Sequence, residues 1–459
     1  TFVGRAPASL TAIRTIDATG LVVAPGFIDP HTHTDGDLRD PARRGLPGYL
    51  MQGVTTVVSG NDGGGPIGIA AARRQLEGGA GTNVVFLVGH GTVRRAVLGM
   101  DSRAPTPVEL DSMRSLVRTA IAEGAVGLST GLYYAPGSFA ETAEVVELAK
   151  GAGAGGGYSD SHIRDESSYT IGLLGAVDEA IRVGREAGLP VHIAHLKALG
   201  VDVWGKSAEV IQRIKAARAA GQRVTADQYP YTASGSSIGA SLLPRWAEAG
   251  GRNALLERIA TDSIRRRLLP EMAENLRRRG GPESLLLTAG KWKGKRLAEV
   301  ATTLGVTPIE AAIEIIKSGD GSVASFNMNE ADIETLMKED FVVTGSDGSG
   351  GHPRKYGTFP RKPRRYVFDR KVIPLATAIQ ASSSRTAAII GLTDRGVIEV
   401  GKVADIVVLD STVITDRSTY EAPEELATGV SHLLVNGRLA VDGGRPTGEL
   451  AGRVLVKKR

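Results

Sequence analysis

Short, apolar, β-like runs alternate with longer amphipathic stretches from residue 22 to about residue 347. Such alternation is typical of βα units with parallel strands. The region offers nine predicted strands, one more than a TIM-type (β/α)8 barrel requires. We interpret the run at 323–326 as the surplus strand. The predicted strands span residues 22–28, 55–59, 84–88, 126–129, 157–161, 191–194, 224–227, 323–326 and 342–345.

Polar side chains fall at or just past the carboxyl ends of these predicted strands. A doubly wound open sheet would not distribute them so evenly, whereas a barrel collects the carboxyl ends of its strands on one rim. We therefore predict an α/β fold with a TIM-type barrel over residues 25–391 and an active site on that rim. The residues concerned are His31, His33, Asp62, His90, His162, His195, Asp227, Tyr229 and Asp347.

The two chain ends have a different pattern from the barrel region. Residues 392–459 consist of short β-like runs separated by turns, and residues 12–17 are also β-like. We predict that residues 1–24 and 392–459 build a small β-sandwich-like domain. A charge-rich helical insertion is predicted at about 241–290. Its arginine runs, at 265–267 and 277–279, are interpreted as a solvated helix face.

Composition limits the class of protein. With 459 residues, of which 42% are hydrophobic, the chain can bury a large core. A formal charge of +5 is small for this length, and no basic block recurs with interleaved aromatic residues. We therefore expect a small-molecule substrate and no nucleic-acid partner. The composition leaves the oligomeric state open.

The chain contains no cysteine, which excludes disulfide bonds, thiolate zinc sites and cysteine nucleophiles. No apolar stretch approaches the ~20 residues of a membrane span, so no membrane association is expected. The chain begins at Thr1 rather than at methionine, as a processed or trimmed product does. Removal of a signal peptide would give such a start, so cytoplasmic, periplasmic and secreted locations all stay open.

His31 and His33 are two residues apart at the end of the first predicted strand. In an extended chain both imidazoles point the same way and can share one metal ion. Two unrelated surface histidines are the alternative. His162, His195 and Asp347 follow other predicted strands and complete a nitrogen and oxygen donor set that suits zinc or a similar divalent ion.

Longer motifs narrow this pattern to a family. The order of these residues resembles the amidohydrolase superfamily, in which His-x-His follows the first strand, two further histidines follow the fifth and sixth, and aspartate follows the eighth. Within that superfamily the chain resembles the N-acyl-D-amino-acid deacylases, or D-aminoacylases. The motifs that carry the resemblance are STGLYYAPG at 129–137, HLKAL at 195–199, DQYPY at 227–231, GSD at 345–347 and HPRKYGTFP at 352–360.

The resemblance implies metal-dependent hydrolysis of a linear amide, releasing a carboxylate and a free D-amino acid, with one or two divalent ions such as zinc. Asp347 matches the residue that serves this family as general acid and base. The implied metal ligands are His31, His33, Asp62, His162, His195 and Asp347. The implied substrate-binding residues are Lys197, Arg354 and Tyr134 for the carboxylate, with Tyr229 and Tyr231 near the acyl or amide group.

The position of Asp62 departs from the resembled family. The family commonly carries a cysteine ligand there, in Gly-Asn-Cys-Gly, whereas this chain has GNDG at 60–63. An aspartate could bridge two metal ions through oxygen, but it is a harder ligand than thiolate and shifts metal preference. Alternatively, Asp62 only hydrogen-bonds a ligand histidine or stabilises the glycine turn.

Two other substrate classes stay open within the same superfamily. One is a dipeptide that carries a D-residue, and the other is a cyclic amide, as in hydantoinases and dihydroorotases. A cyclic substrate without a free carboxylate should tolerate loss of both Arg354 and Lys197. A barrel that binds ligand without catalysis is a further alternative, since a fold alone does not secure activity. A binding protein, however, has no need of a general base beside the metal.

Overall fold

The computed structural model describes residues 3–4 and 11–457. Residues 1–2, 5–10 and 458–459, which belong to the predicted terminal domain, lie outside the described residues. The strands are β1 (Val22–Pro25), β2 (Phe27–Asp29), β3 (Val54–Ser59), β4 (Asn83–Phe86), β5 (Val88–Gly89), β6 (Gly127–Gly131), β7 (Tyr158–His162), β8 (Val191–Ile193), β9 (Val224–Gln228), β10 (Ala233–Ser237), β11 (Leu285–Leu287), β12 (Ser322–Phe326), β13 (Val342–Thr344), β14 (Ile406–Leu409), β15 (Val430–Val435), β16 (Arg438–Asp442) and β17 (Arg445–Pro446).

The helices surround and connect these strands. They are α1 (Asp35–Arg39), α2 (Pro47–Leu50), α3 (Ile69–Gln75), α4 (His90–Leu98), α5 (Pro107–Glu123), α6 (Thr142–Ala154), α7 (Gly172–Ala187), α8 (Ser207–Ala219), α9 (Ile238–Leu242), α10 (Gly251–Ala260), α11 (Asp262–Arg278), α12 (Leu297–Leu304), α13 (Pro308–Lys317), α14 (Glu330–Met337), α15 (Arg354–Arg361), α16 (Leu375–Ala381) and α17 (Ser384–Ile390). A π-helical segment, Lys362–Asp369, continues α15. Across the described residues, none of the helices has the length and apolarity to cross a bilayer.

The parallel strands run in consecutive order around one barrel. Strands β2, β3 and β4 pair in that order, as do β5, β6, β7, β8, β9 and β13. Only Leu87 separates β4 from β5, so the described residues provide eight strand positions. A parallel bridge between Thr32 and Gly348 brings the end of the last position beside the end of the first. The predicted α/β fold with a TIM-type barrel is confirmed.

The first predicted strand, 22–28, is in fact two strands that belong to different sheets. Strand β1 pairs antiparallel with β14, whereas β2 pairs in parallel with β3 inside the barrel. The break falls at Gly26, where a Cβ atom would lie 2.3 Å from Cγ2 of Thr55. The Gly26 amide donates to the carbonyl of Asp405 at 2.8 Å. The chain therefore passes from one sheet to the other at Gly26, where a side chain would collide with Thr55.

Local sequence explains why the barrel elements form where they do. Strand β3 is buried along its whole length, as expected for a parallel strand covered on both faces, and its sequence is correspondingly rich in valine and threonine. Helix α5 begins with a capping box, in which the Thr106 side chain accepts from the amide of Glu109 and the Glu109 carboxylate accepts from the amide of Thr106. It ends at Gly124, which has a φ of 118°.

Both chain ends contribute to one antiparallel sheet in the order β1-β14-β15-β16-β17. Residues 12–17, predicted to be β-like, form no strand, and residues 22–25 supply the first strand instead. Asp405 links this sheet to the barrel, because its carboxylate accepts from Arg395 Nη1 at 2.5 Å and from Asn83 Nδ2 at 3.2 Å. Since Asn83 opens barrel strand β4, the sheet and the barrel share a buried polar contact.

An inserted unit interrupts the chain between barrel strands β9 and β13. Strands β10, β12 and β11 form a small antiparallel sheet. Helices α9 to α13 pack with it around a buried apolar cluster of their own. The unit spans residues 233–326 and so exceeds the insertion expected at 241–290, because the serine-rich sequence of β10 has no strong β pattern. Strand β12 includes the run 323–326 and lies outside the barrel sheet.

Candidate metal centre

The six predicted metal ligands come from the carboxyl ends of barrel strands. They are His31 and His33 after β2, Asp62 after β3, His162 at the end of β7, His195 after β8 and Asp347 after β13. The structure brings all six together on one rim of the barrel. A TIM barrel places its active site on this rim, because the loops that follow the strands converge there.

The carboxylate of Asp62 lies at the centre of the cluster. Four histidine nitrogens surround it: His31 Nε2 at 3.3 Å, His33 Nε2 at 3.5 Å, His162 Nδ1 at 3.4 Å and His195 Nε2 at 3.3 Å. Asp347 Oδ1 lies 3.0 Å from His33 Nε2 and 3.7 Å from His31 Nε2. The donors form two adjoining groups that share Asp62, one with His31, His33 and Asp347 and the other with His162 and His195.

The chemistry of the donors fits a metal centre. Both ring nitrogens of His31 and both of His162 are buried, and within the part of the chain that the structure describes none makes a hydrogen bond of good geometry, although Asp62 lies 3.3 Å from His31 Nε2 and 3.4 Å from His162 Nδ1. A buried polar atom without a partner costs free energy, and coordination would remove that cost. Imidazole nitrogen and carboxylate oxygen are the ligands of zinc and similar divalent ions. The two donor groups are suitable for one or two such ions.

Three residues of the cluster have left-handed backbone conformations. The φ angles are 54° at Asp62, 34° at His195 and 47° at Asp347. Residues other than glycine rarely adopt such angles, and the strain is characteristic of functional sites held in place by their surroundings. The turn that carries Asp62 contains Gly60, which has a φ of 92° and would place a Cβ atom 2.7 Å from the carbonyl oxygen of Leu87.

Burial and opposite charge shift the proton affinities of the cluster. Burial disfavours charge on Asp62, but the histidines, His31 foremost, outweigh it and hold the pKa of Asp62 well below its usual value. Burial also opposes protonation of His33, yet hydrogen bonds to Asp347 and Asp62 raise the pKa of His33 to about 10. A divalent cation at this position therefore competes with bound protons.

Asp347 and Arg354 form a buried ion pair at the edge of the cluster. Arg354 Nη1 lies 2.8 Å from Asp347 Oδ2, and both residues are at most 5% exposed. Burial disfavours charge on Asp347, but Arg354, followed by His195, more than offsets this and keeps the pKa of Asp347 below its usual value. The Arg354 guanidinium also lies 4.6 Å from the ring centre of Tyr229. Asp347 is thus held ionised.

Lys197 is paired with Glu166, a carboxylate to which the sequence pattern assigned no role. Lys197 Nζ lies 2.5 Å from Glu166 Oε1 and 2.7 Å from His195 Nδ1. Glu166 Oε1 is itself 3.0 Å from the same His195 nitrogen. The pair therefore occupies one nitrogen of the His195 ring, which leaves Nε2 directed toward Asp62. No spacing rule pointed to Glu166, because residues 163–166 form neither helix nor strand.

A cavity of about 640 Å³ opens beside the cluster. The predicted substrate-binding residues in its lining are Tyr134, Lys197 and Arg354. Tyr229 and Tyr231 are not among the described residues that line it. Tyr229 lies behind Arg354, and the Tyr231 hydroxyl is 3.4 Å from Asp416 Oδ2. Both tyrosines are buried where the chain leaves the barrel for the inserted unit, and their place near the acyl or amide group of a substrate stays a prediction.

The inserted unit supplies one wall of the cavity. It includes serines of β10 and Arg279, which follows α11. Arg279 is only 2% exposed, although the run at 277–279 was expected on a solvated helix face. A run of three arginines does not indicate which one is buried. The signal is tertiary, because Arg279 Nη2 donates to the hydroxyl of Tyr133 from the barrel at 3.0 Å.

Comparison with known proteins places the chain in a family. The profile described as the amidohydrolase family matches residues 14–441. The chain belongs to the amidohydrolase family. This amidohydrolase is 35% identical to the D-aminoacylase of Alcaligenes xylosoxydans xylosoxydans, over 96% of its own length and 89% of that protein.

Solved structures agree with this assignment. The amidohydrolase matches a crystal structure of D-aminoacylase with a TM-score of 0.83 and 31% identity, covering 98% of this chain and 92% of the other. A second match, the N-acyl-D-glutamate deacylase of Bordetella bronchiseptica complexed with zinc and a phosphonate inhibitor, has a TM-score of 0.81 and 30% identity, covering 96% and 90% of the two chains. D-aminoacylase has also been solved in work on its binuclear metal centre.

Proposed function

We propose that this amidohydrolase hydrolyses the linear amide bond of N-acyl-D-amino acids and releases a carboxylate and a free D-amino acid. The observation that supports it most is the cluster around Asp62, with the ionised Asp347 at its edge and Arg354 beside the cavity. A purely ligand-binding barrel has no need of a buried carboxylate next to a metal centre. The preference for the D-series derives from the likeness to D-aminoacylase over nearly the full length.

The same proposal assigns the metal ligands. His31, His33 and Asp347 would hold one zinc ion, His162 and His195 a second, and Asp62 would be shared between them. When bound, zinc supplies Lewis-acid chemistry, since it polarises an amide carbonyl and lowers the pKa of water from 15.7 to about 7. The zinc in the N-acyl-D-glutamate deacylase structure supports this choice of ion.

Asp347 is the proposed general acid and base. As an ionised carboxylate on the cavity wall it can accept the proton of the attacking water and return it to the leaving amine nitrogen. Arg354 favours the ionised form at the start of the cycle, because a neutral Asp347 beside a buried guanidinium would leave that charge without a partner.

The substrate's α-carboxylate requires cationic partners inside the cavity. Arg354 and Lys197 are the proposed partners, with Tyr134 completing the wall near His162, where the two ring centres are 4.8 Å apart. Arg354 binds Asp347 through Nη1 and lies 3.2 Å from Ser349 Oγ through Nη2, and its Nε has no hydrogen-bond partner among the described residues. The guanidinium therefore has donor capacity left for a planar carboxylate.

Amine release from paired N-acetyl-D- and N-acetyl-L-amino acids tests this function. The enzyme is stripped with a chelator, assayed with ninhydrin, and assayed again after zinc is restored. We expect hydrolysis of the D-series alone, and only with zinc present. If protein confirmed to contain metal hydrolyses neither series, the proposal is wrong, and dipeptides with a D-residue and cyclic amides become the substrates to assay.

A further inference from the structure

Three of the largest fully buried side chains in the described structure are arginines, and they differ in their partners. Arg94 donates to Glu144, and Arg354 pairs with Asp347. Arg279 is equally buried, but no carboxylate among the described residues forms an ion pair with it. A buried charge without a counter-charge is costly, so its retention points to a negative group that is not part of the protein.

Every hydrogen bond of Arg279 goes to a neutral oxygen. Its Nε donates to the carbonyl of Ser241 at 3.2 Å, and Nη2 donates to the hydroxyl of Tyr133 at 3.0 Å. With the Asn327 amide turned so that its oxygen faces the guanidinium, Nη1 donates to it at 3.2 Å. Tyr133 donates its own proton to the carbonyl of Ala240, so it is oriented to accept from Arg279. These hydrogen bonds fix the position of the guanidinium, but none of them supplies a negative charge.

Arg279 lines the same cavity as the predicted metal ligands. Tyr133 lies between Arg279 and the cluster. Its ring stacks on His162, with the ring centres 5.7 Å apart, and its hydroxyl accepts a hydrogen bond from Arg279. The guanidinium is therefore about one tyrosine side chain away from a proposed metal ligand. The carboxylates in the cavity lining are Asp62, Glu166 and Asp347, and each already lies beside a histidine, lysine or arginine. Arg279 therefore faces a cavity whose described lining offers it no carboxylate free of another partner.

We propose that Arg279 binds a second carboxylate of the substrate, so that the preferred substrates are dianionic N-acyl-D-amino acids. The inference rests on the proposed function, in which Arg354 and Lys197 bind the α-carboxylate. The second carboxylate can belong to the amino-acid side chain or to the acyl chain, because both present the same planar anion to a guanidinium. A charge-assisted hydrogen bond of this kind corresponds to a preference of roughly 10- to 100-fold over a neutral isostere.

Two pairs of substrates test the proposal and distinguish the two sources. N-acetyl-D-glutamate is compared with N-acetyl-D-glutamine, and N-succinyl-D-leucine with its succinamoyl counterpart. All four carry the α-carboxylate, so each ratio of kcat/KM reports only the second one. We expect one pair to favour its dianionic member by at least about 10-fold in the wild type, and the Arg279→Met variant to bring that ratio close to one.

The matched control is Arg277→Met, two residues earlier, where an exposed arginine pairs with Asp202 and Glu274. It should keep the wild-type ratio. Arg279→Lys retains a positive charge and should keep part of it. Ratios of kcat/KM at or below one in both pairs of the wild type overturn the proposal, and this result does not depend on whether Arg279→Met folds. An Arg279→Met variant that slows all four substrates equally also overturns it. If no D-substrate is hydrolysed at all, the proposed function fails; hydrolysis without a carboxylate preference refutes this inference alone.

Discussion

Asp347 combines two properties that are seldom found together, since it is nearly buried and yet ionised. The geometry attributes this to Arg354, whose Nη1 lies 2.8 Å away. An asparagine at this position has the same size and can still offer an oxygen to a metal, but it cannot carry a proton between water and the leaving nitrogen. The role of Asp347 can therefore be tested separately from metal binding.

We expect Asp347→Asn to keep most of its bound metal and to lose activity by about 10²- to 10⁴-fold in kcat, the range typical of a lost general acid and base. Metal content by mass spectrometry and kcat on an N-acetyl-D-amino acid check this. Near wild-type activity in metal-loaded Asp347→Asn would contradict the assigned role. Loss of metal along with activity would make Asp347 chiefly a ligand.

Lys362 is a second residue whose charge state is set by its surroundings. It is buried in the π-helical segment, and its Nζ donates to Thr344 Oγ1 at 2.8 Å. Burial, with a smaller effect of the nearby Arg385, lowers the pKa of Lys362 to about 7. The unfolded lysine keeps its ordinary pKa of about 10.4, so between these values the unfolded state binds more protons and folding gains stability as pH rises.

Methionine at position 362 carries no amine, so folding no longer requires the removal of a proton from this side chain. We expect Lys362→Met to be more stable than the wild type at pH 7 by about 1 kcal/mol or more, and the difference to shrink as pH approaches 10. Urea unfolding at a series of pH values measures both quantities. A variant that is less stable at pH 7, with an unchanged pH dependence, would show that the hydrogen bond to Thr344 outweighs the burial of the amine.

At the scale of elements, the turn after β3 determines where Asp62 points. Gly60 has a φ of 92° and no room for a Cβ atom, because the carbonyl oxygen of Leu87 would lie 2.7 Å from it. We expect Gly60→Ala to destabilise the protein by about 1–3 kcal/mol and to lower metal content, since the turn must shift. Thermal unfolding and metal analysis check both effects.

Gly68→Ala is the matched control for this turn. Gly68 precedes α3 with a φ of −97°, and its nearest neighbour would be the Ala71 Cβ atom at 3.9 Å. An added methyl group fits there, so stability and metal content should stay close to wild type. Equal behaviour of the two variants would mean that the turn tolerates a side chain and that its geometry does not determine the position of Asp62.

Most barrel elements could be predicted from sequence, because strands such as β3 are buried β-branched runs that alternate with amphipathic helices, and the site residues lie at or just past the strand ends. The predicted boundaries are wrong where the deciding contact is tertiary. The break at Gly26 depends on the approach of Thr55, which is remote in sequence, and the burial of Arg279 depends on Tyr133. Within the inserted unit the run at 323–326 was predicted as a strand and is β12, whereas β10 was missed because its serine-rich sequence resembles a loop and β11 because it has only three residues.

At the scale of the whole molecule, the sheet from the two chain ends is attached to the barrel through Asp405. Its ion pair with Arg395 is almost completely buried, and Asn83 of the barrel binds the same carboxylate oxygen. Breaking a buried pair by removing one partner leaves an uncompensated charge. The stability of the sheet and that of the barrel are therefore coupled.

We expect Asp405→Ala to lower the free energy of unfolding by about 3–5 kcal/mol while the metal content of the folded protein is retained. Denaturant unfolding followed by circular dichroism and by tryptophan fluorescence measures the loss. Asp410→Ala is the control, because the partly exposed Asp410 carboxylate accepts from its near neighbour Thr412, and its loss should cost far less. Two separate transitions in Asp405→Ala with an unshifted barrel transition would show that the sheet and the barrel unfold independently.

The Asp62 carboxylate at the centre of the predicted ligand cluster has a consequence for the chemical durability of the protein. A thiolate in that position could be oxidised by peroxide or captured by alkylating reagents and mercurials. Asp62 is inert to all of these, and the chain has no cysteine elsewhere. Peroxide and thiol-directed reagents therefore have no thiolate to modify at the centre of this cluster.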